Sequence, residues 1–83
     1  MKVLYFAWLK QKVGLAEEEV NPPAEVRDVA GLLNWLAQRS VRHGDALARR
    51  SVVRVAVNQS YAGPDHPVRP GDEIALFPPV TGG

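Results

Sequence analysis

The sequence predicts an α+β fold, in which a mixed sheet of four to five strands has one main helix packed on one face. Three features predict it. Short runs of β-forming residues lie toward both ends of the chain, an amphipathic helical pattern lies between them, and turns rich in proline or glycine separate the runs. With 83 residues, of which 46% are apolar, the chain is long enough for one small domain with a compact core.

The N-terminal part predicts two strands that pair as a hairpin. Residues 2–9 are nearly all apolar and rich in β-forming types, which indicates a strand inside the sheet. Residues 10–14 predict a short helical turn or loop that stops at Gly14. Residues 15–20 predict the second strand, and their three glutamates indicate an edge position with solvent on one side. Pro22-Pro23 ends this strand.

The main helix is predicted to follow Asp28. The Asp28 carboxylate can accept hydrogen bonds from the free N–H groups of a first helical turn, which makes this residue a suitable N-cap. Trp35 falls outside the apolar stripe, so we expect it at the rim of the core or exposed, and we expect the helix to end near Arg39-Ser40. The stripe itself has helical spacing and consists of Val29, Leu32, Leu33 and Leu36.

The C-terminal half predicts further strands divided by turns. Residues 43–50 carry no decisive pattern, and a second short helix remains open there. The other expected elements are a strand over residues 52–57, a turn at 58–60, a short strand at 61–62, a turn at 70–72 and a last strand at 73–77.

The resulting order of main elements, β-β-α-β-β, is that of the β-grasp or ubiquitin-like fold. We expect residues 1–77 to form this domain. Residues 78–83 are expected to form a flexible C-terminal tail, which ends in Gly82 and Gly83.

The tail has the properties of a reactive end. Pro78-Pro79 must end the sheet and favours an extended conformation, while Gly82 and Gly83 have no side chain to clash inside a narrow channel. The six residues from Pro78 can span at most about 20 Å. The tail can therefore carry the terminal carboxylate into a partner's active site while the domain stays outside.

Chemistry at that carboxylate needs outside help. A terminal carboxylate has a pKa of about 3.3–3.7, so it is ionised at neutral pH and is a poor electrophile. Activation as an acyl-adenylate would use ATP, but the sequence has no Gly-rich phosphate loop with its lysine. We therefore expect a separate activating enzyme to use ATP, and we expect this chain to bind no cofactor and to catalyse nothing alone.

Composition bears on the other function classes. A net charge of +1 gives no argument for nucleic acid, and no apolar run is long enough to span a membrane. Cysteine is absent and His43 and His66 lack paired ligand spacing, so we expect no metal site and a cytoplasmic location. A basic middle segment is predicted to be a solvated face, with a docking surface for an acidic partner as the alternative; its cations include Arg39, Arg42, Arg49, Arg50 and Arg54.

The C-terminal heptapeptide Phe77-Pro78-Pro79-Val80-Thr81-Gly82-Gly83 resembles the ending of the MoaD family, the small subunits of molybdopterin synthase. Matching segments lie along the rest of the chain, at residues 2–7, 55–59, 65–67 and 71–75. The resemblance thus covers essentially the whole chain, and the tail is its most specific part.

The resemblance implies a role for each part of the tail and for one surface. Gly83 is expected to be adenylated by an E1-like enzyme of the MoeB type and converted to a thiocarboxylate. The tail, through Pro78, Pro79, Val80, Thr81 and Gly82, then enters the large subunit, MoaE. There it gives sulfur to cyclic pyranopterin monophosphate, within a heterotetramer of two small and two large subunits. An apolar patch formed by Phe6, Phe77 and Tyr61 is expected to contact the partners.

Three alternatives remain open. One is a sulfur carrier for thiazole synthesis in the thiamine pathway, against which the chain length and the residues before the glycines argue. A second is a ubiquitin-like modifier that joins Gly83 to a lysine. The third is a β-grasp binding module without chemistry at its end.

Overall fold

A computed structural model describes residues 1–79, which form a five-stranded sheet in the order β2-β1-β5-β3-β4. Strands β1 and β5 are parallel at the centre, and the other neighbouring pairs are antiparallel, so the sheet is mixed as predicted. The elements in chain order are β1 Lys2–Tyr5, α1 Ala7–Val13, β2 Glu17–Glu19, α2 Val29–Ala37, α3 Val41–Ala46, a 3-10 turn Arg50–Val52, β3 Arg54–Val57, β4 Ser60–Tyr61 and β5 Glu73–Phe77.

The helix α1 corrects the prediction of one strand over residues 2–9. Strand β1 ends at Tyr5, and Ala7 has a φ of 54°, which turns the chain into the helix. The helix buries Leu9 and Val13, one turn apart, and ends at Gly14 in the left-handed conformation. Residues 2–9 are almost uniformly apolar and therefore show neither a period of two nor one of 3.6, so the pattern could not reveal this change of structure.

The helix α2 begins as predicted. The Oδ1 atom of Asp28 accepts a hydrogen bond of 2.8 Å from the N–H of Gly31, which caps the first turn. The helix ends at Ala37, before the predicted end, and buries the whole predicted apolar stripe. Trp35 lies at the rim of the core, where the Arg39 guanidinium stands 4.9 Å from its ring centroid.

Residues 43–50, for which the sequence pattern allowed a short helix without deciding it, contain the end of the helix α3 and the start of the 3-10 turn. Ser40 caps α3 by accepting a hydrogen bond of 3.1 Å from the His43 N–H. Because the 3-10 turn occupies Arg50–Val52, strand β3 begins at Arg54, two residues after the predicted start of the strand over residues 52–57. The predicted second strand over residues 15–20 is likewise shorter, because only Glu17–Glu19 pairs with β1.

The helices lie against one side of the sheet. Side chains of α1, α2 and α3 share a continuous core with alternate residues of β1, β3 and β5. Between β3 and β4, Asn58 and Gln59 both have positive φ, as a two-residue hairpin turn requires. Within residues 1–79, no helix has both the length and the apolar character needed to cross a membrane.

Candidate functional site

One face of the sheet is left open by the helices. Neighbouring residues of a strand point to opposite faces, and residues paired across strands share a face. Because alternate residues of the central strands lie in the core with the helices, the residues between them form what we call the open face. Its members on β1, β3, β4 and β5 are Lys2, Leu4, Arg54, Ala56, Tyr61, Glu73, Ala75 and Phe77.

The aromatic residues assigned to the partner patch lie at one end of this face. The rings of Tyr61 and Phe77 are 5.7 Å apart between centroids and tilted by 37°. The Phe6 N–H donates a hydrogen bond of 3.0 Å to the Leu76 carbonyl, which places Phe6 beside the end of β5. Tyr61 is 81% exposed and Phe6 is 48% exposed. Exposed aromatic surface of this kind is typical of interaction sites.

A surface depression of about 470 Å³ lies next to the aromatic pair. Its floor and walls combine apolar side chains with one cation and with the small residues that follow β4. The lining residues are Arg54, Val55, Tyr61, Ala62, Gly63 and Phe77. The depression can therefore accept an apolar side chain of a docking partner.

The opposite edge of the open face carries paired charges. The Lys2 ammonium lies 3.1 Å from a Glu17 carboxylate oxygen. The hydrogen bond to Glu17 and its negative charge raise the pKa of Lys2. Both side chains are about half exposed, so water screens the pair. The face thus changes from charged at β2 to aromatic at β4.

The tail begins at the aromatic end. Strand β5 ends at Phe77, and Pro78-Pro79 follows with partly buried side chains and no regular structure. The predictions for Val80, Thr81, Gly82 and Gly83 concern residues outside those that the structure describes. The structure therefore brings Tyr61 and Phe77 into contact near Pro78 and places Phe6 beside the end of β5, while the roles of all three stay predictions.

A polar cluster on the covered side was missed by sequence reasoning. The Oε2 atom of Glu18 accepts a hydrogen bond of 2.7 Å from the Tyr5 hydroxyl and lies 2.7 Å from the His43 Nε2 atom. On its other side, the His43 Nδ1 atom lies 2.7 Å from the Ser40 hydroxyl. Arg39 completes the cluster, with a guanidinium nitrogen 3.5 Å from Glu18 Oε1. Strand β2 directs Glu18 toward the helices, opposite to Glu17 and Glu19.

Burial and hydrogen bonding set the pKa values in this cluster. Burial is the main reason that the pKa of Tyr5 is raised, and the nearby Glu18 carboxylate adds to it. Burial alone would raise the pKa of Glu18, but the hydrogen bonds from His43 and Tyr5 outweigh it and hold that pKa below its ordinary value. The cluster therefore joins β1, β2 and α3 as a satisfied structural network. It lies on the side of the sheet away from the aromatic patch.

Comparison with known proteins identifies the family. A family model described as ThiS family matches residues 3–83, which includes the tail. The chain belongs to the ThiS family. The molybdopterin synthase sulfur carrier subunit of Escherichia coli (strain K12) is 42% identical over 83 residues, covering 100% of this chain and 99% of that protein. The Homo sapiens protein of the same name is 33% identical over 86 residues, covering 100% and 93%.

Solved structures give the same result for the fold. SAMP1 from Haloferax volcanii has a TM-score of 0.75 at 29% identity, and the alignment covers 100% of this chain and 98% of SAMP1. A putative molybdopterin converting factor, subunit 1, from Pyrococcus furiosus has a TM-score of 0.77 at 32% identity, with 95% of each chain covered. The predicted β-grasp fold and the resemblance to the MoaD family are both confirmed.

Proposed function

We propose that this chain is the sulfur carrier subunit of molybdopterin synthase and that its Gly83 carboxyl group carries the sulfur. One observation supports this most strongly: the similarity to proteins of that name extends over the whole chain, and the family match includes Gly82 and Gly83. The open face adds support, because its exposed aromatic residues stand where the tail begins.

The chemistry proceeds at the terminal carbonyl carbon. A carboxylate oxygen of Gly83 attacks the α-phosphorus of ATP on an E1-like activating enzyme, and pyrophosphate leaves. A donor of sulfur at the oxidation level of sulfide then displaces AMP from the acyl carbon, which yields the thiocarboxylate. In the large subunit, the tail gives this sulfur to cyclic pyranopterin monophosphate, and water cleaves the acyl carbon–sulfur bond, which returns Gly83 to the carboxylate. This chain contributes the reacting group and its delivery, while other proteins supply ATP binding and catalysis.

The open face supplies the binding energy for delivery. Ordering each glycine of the tail costs about 1–2 kcal/mol in backbone entropy, and a two-glycine end has no side chain that could offset it. Burying the exposed parts of Phe6 and Tyr61 against a partner stabilises the complex at about 25 cal/mol per Å² of apolar surface. We therefore place both the large subunit and the activating enzyme on this face. We assign the chain to a cytoplasmic heterotetramer of two small and two large subunits.

Intact mass spectrometry tests the proposal. The chain is incubated with the activating enzyme, ATP and a sulfur donor, and the expected product has one oxygen of the terminal carboxylate replaced by sulfur. A variant that lacks Gly83 is the matched control and should keep its original mass. An unmodified wild-type chain under conditions that activate the E. coli relative would contradict the proposal.

A second candidate function is that of a protein modifier. The specific observation in its favour is the structural similarity to small archaeal modifier protein 1 of H. volcanii, with a TM-score of 0.75 at 28% identity. In this case the activated Gly83 would form an amide with a lysine of another protein. Conjugates of higher mass that require Gly83 would support this function, and a thiocarboxylate without conjugates would support the first.

A further inference from the structure

Arg54 is the cation of the aromatic end of the open face. It is exposed and pairs with Phe77 in the register of β3 and β5, so the two side chains share the face. Arg54 also lines the surface depression together with Tyr61. None of the ion pairs formed by residues 1–79 includes it.

The guanidinium of Arg54 is held in place with one edge unused. Its Nη1 atom donates to the carbonyl of Ser51 at 3.0 Å and to that of Val53 at 3.5 Å. Within the described part of the chain, its Nε and Nη2 atoms make no hydrogen bond. Those two groups form the edge of an arginine that binds both oxygens of a carboxylate. The anchored Nη1 atom restricts the orientation of this edge.

Two other arginines show the contrast. Arg42 uses its Nε and Nη2 atoms on the carbonyls of Lys12 and Gln11, at 2.9 and 3.3 Å, where they serve the end of α1. Arg50 uses its Nε atom on the Leu47 carbonyl at 2.7 Å and its Nη1 atom on Asn34 at 3.0 Å. These side chains brace the helical side of the fold, whereas the donor edge of Arg54 is available to a partner.

We propose that Arg54 is a recognition residue that binds a carboxylate of the large synthase subunit, beside an apolar side chain of that subunit that enters the depression. This inference rests on the proposed function, in which the large subunit docks on the open face. Docking that buries Tyr61 and Phe77 also removes water from Arg54. A charge removed from water without a partner is strongly unfavourable, so an apolar surface alone does not fit this face. A partner surface that also presents a carboxylate, with its two oxygens within reach of Nε and Nη2, fits this face.

We choose the large subunit as the partner that docks on this face. The relatives share a name that describes a sulfur carrier subunit of a synthase, and such a name implies a companion subunit. The same charge would also discriminate among partners, since a surface that presents a cation opposite Arg54 is rejected. Arg54 is thus expected to determine which apolar surfaces this small domain accepts.

Binding measurements with the large subunit from the same organism test this inference. We expect Arg54→Gln to weaken the complex about tenfold and to reduce the dependence of Kd on salt, because a charge-assisted contact is lost. Arg54→Lys keeps the positive charge but lacks the paired Nε and Nη2 donors, so it should recover part of the affinity. Arg69→Gln, which removes an exposed arginine beyond the open face, is the matched control and should bind as wild type.

Replacing the acidic surface residues of the large subunit one at a time by their amides then locates the partner carboxylate. One of them should show about tenfold coupling with Arg54→Gln in a double-mutant cycle. If Arg54→Gln and Arg69→Gln bind equally well while the wild-type pair transfers sulfur, the inference fails and the proposed function stands. If Arg54→Gln slows only adenylation and leaves the large-subunit complex unchanged, the choice of occupant is wrong. Absence of sulfur transfer by the wild-type pair overturns both.

Discussion

The two faces of the sheet differ in how completely their apolar side chains are buried and their polar side chains are hydrogen-bonded. On the covered face, apolar residues are packed against three helices, and within the part of the chain that the structure describes no buried side-chain nitrogen or oxygen lacks a hydrogen-bond partner. On the open face and beside its aromatic end, Tyr61 and Phe6 leave large apolar areas in water, and no hydrogen bond within residues 1–79 uses the Nε and Nη2 atoms of Arg54. The domain therefore separates stability from binding, and substitutions on the two faces should affect different measurements.

The largest effect is expected in the core of the covered face. Leu36 is fully buried on α2, so Leu36→Ala should lower the free energy of unfolding by about 2–5 kcal/mol through lost apolar contacts and a residual cavity. Urea denaturation followed by circular dichroism measures this change. Leu15→Ala is the control: because Leu15 is exposed, this substitution should lower the free energy of unfolding far less. Equal losses for the two variants would contradict the conclusion that the packed core of the covered face carries the stability.

The polar cluster gives the next largest effect. Glu18→Gln removes the charge that binds His43 and Tyr5, and we expect a loss of about 1–3 kcal/mol in the free energy of unfolding. Glu17→Gln is a control on the same strand, because Glu17 belongs to the solvent-screened pair with Lys2. A loss in Glu17→Gln as large as that in Glu18→Gln would show that the cluster carries no special stability.

The same cluster predicts a dependence of stability on pH. The folded state holds the pKa of Glu18 below its ordinary value of 4.5, so the ionised carboxylate stabilises the fold above that pH. This contribution is lost as the pH falls through the folded-state pKa of Glu18. Thermal unfolding of the wild type and of Glu18→Gln at a series of acidic pH values should therefore converge. Parallel curves throughout that range would contradict the assignment.

A smaller free-energy change, confined to binding, is expected on the open face. Tyr61→Ser should weaken the complex with the large subunit at least about tenfold, because it removes an exposed aromatic anchor. Its unfolding free energy should change by less than about 0.5 kcal/mol, as is usual for exposed positions. Val41→Ser is the matched control, since Val41 is also 81% exposed but lies on α3. A comparable loss of affinity in Val41→Ser would place the interface elsewhere.

Local signals predicted the fold well where one residue type decides the structure. The Asp28 cap, the helical stripe of α2 and the strand before Pro78-Pro79 follow from short-range chemistry, and the structure contains all three. The helical turn or loop predicted before Gly14 is the last part of α1, but the start of this helix at Ala7 was missed because the almost uniformly apolar residues 2–9 show no period. The polar cluster was missed for another reason: Tyr5, Glu18 and His43 lie 13 and 25 residues apart, and only the folded chain brings them together.

The candidate site was predicted in a different way. Phe6, Tyr61 and Phe77 were assigned to a patch from the resemblance to a family. The strand register places Tyr61 and Phe77 on one face, and a backbone hydrogen bond to Leu76 places Phe6 beside the end of β5. No local pattern could have shown that Arg54 lies beside them. Its position depends on the pairing of β3 with β5, which joins residues 23 positions apart, at Arg54 and Phe77.

Sulfur transfer by chains with an altered end tests the central claim most directly. Thiocarboxylate formation and product yield are measured with the activating enzyme and the large subunit for the wild type, for a chain lacking Gly83 and for a chain with one residue added after Gly83. If the reacting atom is the final carbonyl carbon, both altered chains give no product while they unfold at the wild-type temperature. Product from either altered chain would contradict the account.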